Sequence, residues 1–112
     1  MKKYNAKLIR IIDGDTIDAE IDVGFDVFVR KRIRLWGINT PETRSRDKDE
    51  VKAGKKALGR LAAILALANG EFELVHHGDG KFGRCLGELF VKEHSESVNQ
   101  ILINEGFAEV YE

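Results

Sequence analysis

Apolar residues first cluster between Lys7 and Ile12, where Leu8, Ile9, Ile11 and Ile12 mark a short strand. Asp13-Gly14-Asp15 interrupts it, and an Asp-Gly pair is a strong turn signal. From Thr16 to Val23 the pattern alternates. Ile17, Ala19, Ile21 and Val23 share one face, and Asp18, Glu20 and Asp22 the other, as in a half-buried strand. Gly24 closes that run. Val27 to Trp36, rich in β-branched and aromatic residues, predicts a third strand, so the first three form a meander. The period then changes. After a loop from Gly37 to Arg46, Val51, Leu58, Leu61, Leu65 and Ala68 recur at helical spacing, and Ala57, Ala62 and Ile64 widen the stripe. The helix is expected over Asp47 to Asn69, with Asp47, Asp49 and Glu50 at its dipole's positive end and Asn69-Gly70 as its stop. Glu71 to His76 predicts a fourth strand, His77 to Gly83 a turn and Cys85 to Lys92 a fifth strand. Glu96 to Glu105 predicts a short helix ended by Gly106, followed by an extended Phe107 to Tyr111.

Three strands, a helix and two strands are the order of an OB-type barrel. The fold class expected is mainly β: a five-stranded barrel, a helix between strands three and four, and a short second helix near the C-terminus. A chain of 112 residues, 43% apolar, suits one domain spanning 1–112 with a real core. Eighteen Lys and Arg against 19 Asp and Glu give a net charge of −1. That excludes a polycation that binds nucleic acid by charge excess, but it allows a local basic site. The single cysteine, Cys85, excludes an internal disulfide and a cysteine-cluster metal site. The longest apolar run, Leu61 to Ala68, is too short to span a membrane, and Met1 to Asn5 leads into no signal-peptide core. A cytoplasmic monomer without a membrane partner is the expectation.

Four segments carry chemistry. If the second strand starts at Asp15, its carboxylate shares the inward face of Ile17 and Ala19, which is costly unless a metal ion or an arginine pairs with it. Arg30, Arg32 and Arg34 share one face of the third strand, either as a solvated edge or as a ladder of guanidiniums for phosphate. In Gly37-Ile38-Asn39-Thr40-Pro41-Glu42, the proline biases Thr40 toward extended backbone. The oxygens of Asn39, the Thr40 carbonyl and Asp15 are hard donors suited to Ca²⁺ or Mg²⁺. In Gly80-Lys81-Phe82-Gly83-Arg84, two glycines permit close backbone approach, and the cations and aromatic ring can meet phosphates and bases. His76-His77 reads as a solvated pair at a turn, Cys85 as a buried thiol and Trp36 as core.

In their order, Asp13-Gly14-Asp15-Thr16, Arg34, Asn39-Thr40-Pro41-Glu42 and Lys81-Phe82-Gly83-Arg84 resemble the staphylococcal nuclease family. Val98-Asn99-Gln100 through Gly106-Phe107-Ala108 is similar to that family's second helix and the segment after it. The resemblance runs roughly from Ala6 to Tyr111 and implies the same OB barrel. It implies metal ligation by Asp15, Asn39 and the Thr40 carbonyl, with Ca²⁺ as cofactor. It implies that Glu42 activates the attacking water, that Arg34 and Arg84 grip the phosphate, and that Lys81 and Phe82 contact substrate. The implied reaction is hydrolysis of DNA or RNA, single-stranded or locally open, at P–O5′ to leave 3′-phosphates.

Three positions depart from the family pattern. Asn39 stands where the family typically has a metal-binding aspartate, which predicts weaker Ca²⁺ binding or a shift toward Mg²⁺ or Mn²⁺. Phe82 replaces a tyrosine and lacks its hydroxyl. The chain ends at Glu112, before the third helix of the family. Asn39 and that ending keep open a second expectation, a nucleic-acid-binding module without catalysis. A protein-interaction OB domain is a third reading, and little beyond the near-neutral charge argues for it.

Overall fold

A computed structural model describes residues 1–111. The alternating runs become β1 (Lys3–Asp13), β2 (Thr16–Asp22) and β3 (Phe28–Leu35), and the expected helix is α1 (Lys48–Leu67). Then come β5 (Glu71–Asp79), β6 (Cys85–Phe90) and α2 (Val98–Asn104). A short β4 (Ile38–Asn39) pairs antiparallel with β7 (Glu109–Val110), a ladder that the sequence pattern did not predict. The five long strands close in the order β1-β2-β3-β6-β5, an OB-type barrel with α1 between β3 and β5.

The alternation in β2 does what its period demands. Ile17, Ala19 and Ile21 are buried, and they pack with Ile33, Leu35, Leu74 and Leu89 inside the barrel. Val23 falls outside the expectation and is exposed. The strand ends at Asp22, and a reversal that bonds the Val23 N–H to the Val27 carbonyl carries Val23 out of the pleat. β1 begins four residues earlier than Lys7 because Lys3 to Lys7 pairs with Glu71 to Val75 and closes the barrel. β3 meets β6 in parallel register, Ile33 beside Cys85 and Arg34 beside Leu86.

Asp47 caps α1 by accepting from the Asp49 and Glu50 N–H groups, so the helix starts where the acids predicted. Its buried stripe is Gly54, Ala57, Leu61, Ile64 and Leu65, and it seals one end of the barrel. Ser97 caps α2 in the same way. Arg60 of α1 grips the Glu105 carboxylate at the end of α2 with two hydrogen bonds, 2.6 and 2.9 Å long, which hold its carboxyl below the usual range. Buried Asn99 fastens α2 to the barrel. Its side-chain oxygen accepts from the Leu89 N–H, and its amide donates to the Trp36 and Gly87 carbonyls. Among the described residues no helix is long and apolar enough to cross a membrane.

Candidate functional site

The turn between β1 and β2 sets the site. Gly14 is buried there, and a Cβ on it would lie 2.8 Å from the Ala57 Cβ and 3.1 Å from Thr40 Oγ1. Only a glycine lets helix and loop press against this turn. Asp15 is thereby fixed inward at 7% exposure, beside the end of β3, whose Leu35 N–H donates to its carbonyl.

Its carboxylate is fully engaged. Oδ1 accepts from the Thr16 hydroxyl at 3.0 Å, and Oδ2 accepts from the Thr40 N–H at 3.0 Å. Arg34 Nη1 lies 3.1 Å from the same Oδ2, so an arginine supplies the cation that a buried acid demands. Arg34 also donates from Nη2 to Asn39 Oδ1 at 3.2 Å and from Nη1 to its neighbour's carbonyl on Leu35. One guanidinium therefore bridges the side-chain oxygens of Asp15 and Asn39. Its Cζ stands 5.8 Å from the centre of the Tyr111 ring.

The Asn39–Glu42 segment is pinned from behind by α1. A Cβ on Gly54 would come within 2.7 Å of the Pro41 carbonyl oxygen and 2.8 Å of that of Glu42. The helix axis thus sits as near this loop as backbone allows. Thr40 is buried, and its hydroxyl has no hydrogen-bond partner. Thr43 donates its hydroxyl to Asp13 Oδ1 at 2.5 Å and ties the loop to the end of β1. Glu42 is exposed and faces the cleft.

The cleft has a volume of about 390 Å³ and collects Asp15, Arg34, Asn39, Thr40, Glu42 and Arg84 around one hollow. Sequence reasoning missed two of its charged walls, Asp13 and Arg44. Asp13 was read only as part of a turn, and Arg44 sits in an aperiodic loop that offers no phase to read. Lys81 and Phe82 are not among the lining residues. They lie on a one-turn 3₁₀ segment, Lys81–Gly83, with Phe82 left-handed at φ 62° and 95% exposed. That segment holds Arg84, whose Nε donates to the Lys81 carbonyl at 3.2 Å.

Of the two readings of the arginine row, the structure settles Arg32. Asp18 lies opposite it across β2 and β3 and accepts from Arg32 at 2.8 and 3.1 Å and from Arg10 at 2.9 Å. The Arg32 hydrogen bond, helped by Arg10, lowers the Asp18 carboxyl to about 2. Arg32 is spent on that pair, and Arg34 alone of the row lines the cleft.

Two further expectations change. Trp36 is not core: it is 44% exposed, and its ring stacks on His77 at 3.9 Å with 6° between planes. The His76-His77 pair is not simply solvated. The His77 side chain is 8% exposed and meets Glu88 at 2.5 Å, while His76 faces Asp79 at 3.3 Å. Cys85 is buried as expected. Burial, with Asp79 nearby, pushes its thiol up to about 11, so it stays protonated at neutral pH.

The donor types are those a hard cation takes, while the Asp15 and Asn39 oxygens themselves are held by Arg34 in this structure. Among the described residues no three His, Cys, Asp or Glu side chains are grouped to hold a metal by themselves. One carboxylate, one amide oxygen and one peptide carbonyl, completed by water, make an all-oxygen set of the kind Ca²⁺ or Mg²⁺ takes. A larger open hollow, about 790 Å³, lies at the other end of the barrel around Ala6, Asp22, Phe28 and Phe72. The six residues named above do not line it, so volume is a poor guide to chemistry here.

The fold is an OB-type barrel that carries an oxygen-rich and arginine-rich cleft. The family model described as staphylococcal nuclease homologue matches residues 32–112, well over half the chain. The chain belongs to that family. The match includes Arg34, Asn39, Thr40, Glu42, Lys81, Phe82 and Arg84, and Asp15 precedes it. No curated protein matches the chain.

Proposed function

We propose that this chain is a metal-dependent nuclease that hydrolyses DNA or RNA at the P–O5′ bond and leaves 3′-phosphates. The observation that carries this reading is the meeting of Asp15, Arg34, Glu42 and Arg84 around one cleft. A phosphodiester is anionic, and attack by water adds charge to its oxygens. Positioned positive charge then lowers the barrier more than covalent chemistry does.

Arg84, and Arg34 through the N–H groups not used on Asp15, Asn39 and Leu35, would donate to phosphate oxygens, and these bonds strengthen as charge develops. Glu42 accepts a proton from the attacking water as the new P–O bond forms. The 5′-oxygen leaves as the P–O5′ bond breaks, and it takes a proton from solvent. Asp15, Asn39 and the Thr40 carbonyl would hold Ca²⁺, with Mg²⁺ or Mn²⁺ as alternatives. Such an ion, when bound, would supply positive charge and orient water. Lys81 and Phe82, exposed beside Arg84, suit contacts to the strand on either side of the cleaved bond.

One observation favours a second reading, a binding module without turnover. Asn39 gives a neutral oxygen where a carboxylate would bind metal more strongly, and that oxygen already accepts from Arg34. The test is hydrolysis of single-stranded DNA and RNA with Ca²⁺, Mg²⁺, Mn²⁺ or EDTA, for this chain and for Glu42→Ala. Cleavage with 3′-phosphate ends, lost in EDTA and in the variant, is expected. Salt-sensitive binding with no cleavage under any metal selects the binding module.

A further inference from the structure

The stacked pair Trp36 and His77 takes no part in the chemistry above. Trp36 is 44% exposed, yet its ring has a stacking partner. Its one face is covered by the His77 imidazole at 3.9 Å, almost parallel. His77 is held in turn by Glu88 at 2.5 Å and is nearly buried. One face of the indole is thus taken by His77, and the residue still presents 44% of its area to solvent.

Its place along the strand is informative. Leu35, the last residue of β3, is buried, with Arg34 before it in the strand and exposed Trp36 after it, at the start of the turn. The Trp36 N–H donates to the Gly87 carbonyl at 2.8 Å, which continues the β3–β6 ladder and fixes the backbone. Parallel register puts Arg34 beside Leu86, with Arg84 two residues earlier on the same chain. Along this edge the order is Arg84, Arg34, Trp36.

We propose that Trp36, backed by His77, is a nucleobase-stacking subsite that seats the base one nucleotide along from the phosphate held by Arg34. This rests on the nucleic-acid reading of the cleft. An aromatic face accepts any base, because every base has a π-face, so the subsite adds affinity and fixes strand register without setting sequence.

Trp36 is the only tryptophan, so its emission reports this surface alone. The experiment titrates the protein, in EDTA and low salt, with an eight-nucleotide oligothymidylate and with an abasic strand of equal phosphate count. Anisotropy of a labelled strand measures binding for Trp36→Leu and Trp36→Tyr. Expected is quenching by the base-bearing strand and none by the abasic one. Trp36→Leu weakens binding about 5- to 150-fold and Trp36→Tyr largely restores it. Binding with unchanged emission and an unchanged Trp36→Leu affinity overturns the subsite and leaves the nuclease reading standing. Equal quenching by the abasic strand also overturns it. Failure of both strands to bind, in EDTA and again with Ca²⁺ present, overturns the subsite, and the metal-dependent hydrolysis assay then decides the nuclease reading separately. The wild-type titrations decide even where Trp36→Leu does not fold.

Discussion

The guanidinium of Arg34 lies 3.1 Å from the carboxylate of Asp15, and both side chains are largely covered, 14% and 11% exposed. Without the arginine, Asp15 keeps its bonds from Thr16 and Thr40 but loses its one ion-pair partner among the described residues. Breaking a buried pair typically costs about 3–5 kcal/mol, and the two remaining hydrogen bonds reduce that here. Arg34→Gln is expected to lose about 1–3 kcal/mol of stability in EDTA, read by urea unfolding. Ca²⁺ should raise the unfolding midpoint of the variant more than that of the native chain, because the ion then replaces the lost charge. A variant as stable as the native chain in EDTA would mean that Asp15 does not depend on this partner.

Asn39 offers the second side-chain oxygen of that bridge. Asn39→Asp adds a full negative charge at the same position with almost no change of shape. Ca²⁺ binding, followed by titration calorimetry, should tighten on the order of tenfold, about 1.4 kcal/mol. If the affinity does not rise, Asn39 is not at the metal.

The same mutation at two glycines of α1 should act with opposite signs. A Cβ on Gly54 has nowhere to go against the Pro41 and Glu42 carbonyls, whereas one on Gly59 meets nothing within 4 Å. Gly59→Ala should gain about 0.5–1 kcal/mol from helix propensity. Gly54→Ala should lose about 1–3 kcal/mol by overpacking, and cleavage should fall because the loop bearing Glu42 is displaced. Urea midpoints and initial rates for the two variants check both signs.

Asp18 makes stability depend on acid. Its folded carboxyl titrates near 2 against 3.8 when unperturbed, held down first by the Arg32 hydrogen bond and then by Arg10. A lowered folded value means that the contribution is fully present above the unfolded value and fades as pH falls from about 4 toward 2. Because the arginines are half-exposed, the contribution is about 1–2 kcal/mol at neutral pH. Asp18→Asn should lose that amount at pH 7 and almost nothing near pH 2, which paired urea titrations would resolve. A pH-independent difference would assign the loss to packing instead.

What the sequence made legible follows its periods. Ile17, Ala19 and Ile21 revealed their face because a strand half-buried on one side repeats every two residues. Ala57, Leu61 and Leu65 did so through the helical repeat. Gly54, also on that buried stripe, was missed because a glycine carries no hydrophobic signal. Trp36 was misplaced because composition suggests core, whereas it falls in the turn just after β3 and is 44% exposed. The parallel β3–β6 contact and the β4–β7 ladder join segments distant in the chain, and no local pattern encodes them. For Asp15, the sequence demanded a cation without naming one, and the fold brings the Arg34 guanidinium to 3.1 Å from it.

Asn99 ties the second helix to the edge that carries the proposed chemistry. Its one side chain satisfies three backbone groups, accepting from the Leu89 N–H at 3.1 Å and donating to the Trp36 carbonyl at 2.8 Å and the Gly87 carbonyl at 3.1 Å. Asn99→Ala removes all three bonds and is expected to destabilise the fold by about 2–4 kcal/mol. Asn99→Asp keeps the acceptor for Leu89 but turns a carboxylate toward two carbonyl oxygens, so burial of charge adds to the loss of donors. It should therefore be at least as destabilising as the alanine at pH 7, although it changes only one atom group. The loss should ease as acid protonates the new side chain, which restores a donor. Urea unfolding of both variants between pH 7 and 4 tests this ordering. If the aspartate variant matched the native chain at pH 7, the amide donors to Trp36 and Gly87 would not be what holds this edge in place.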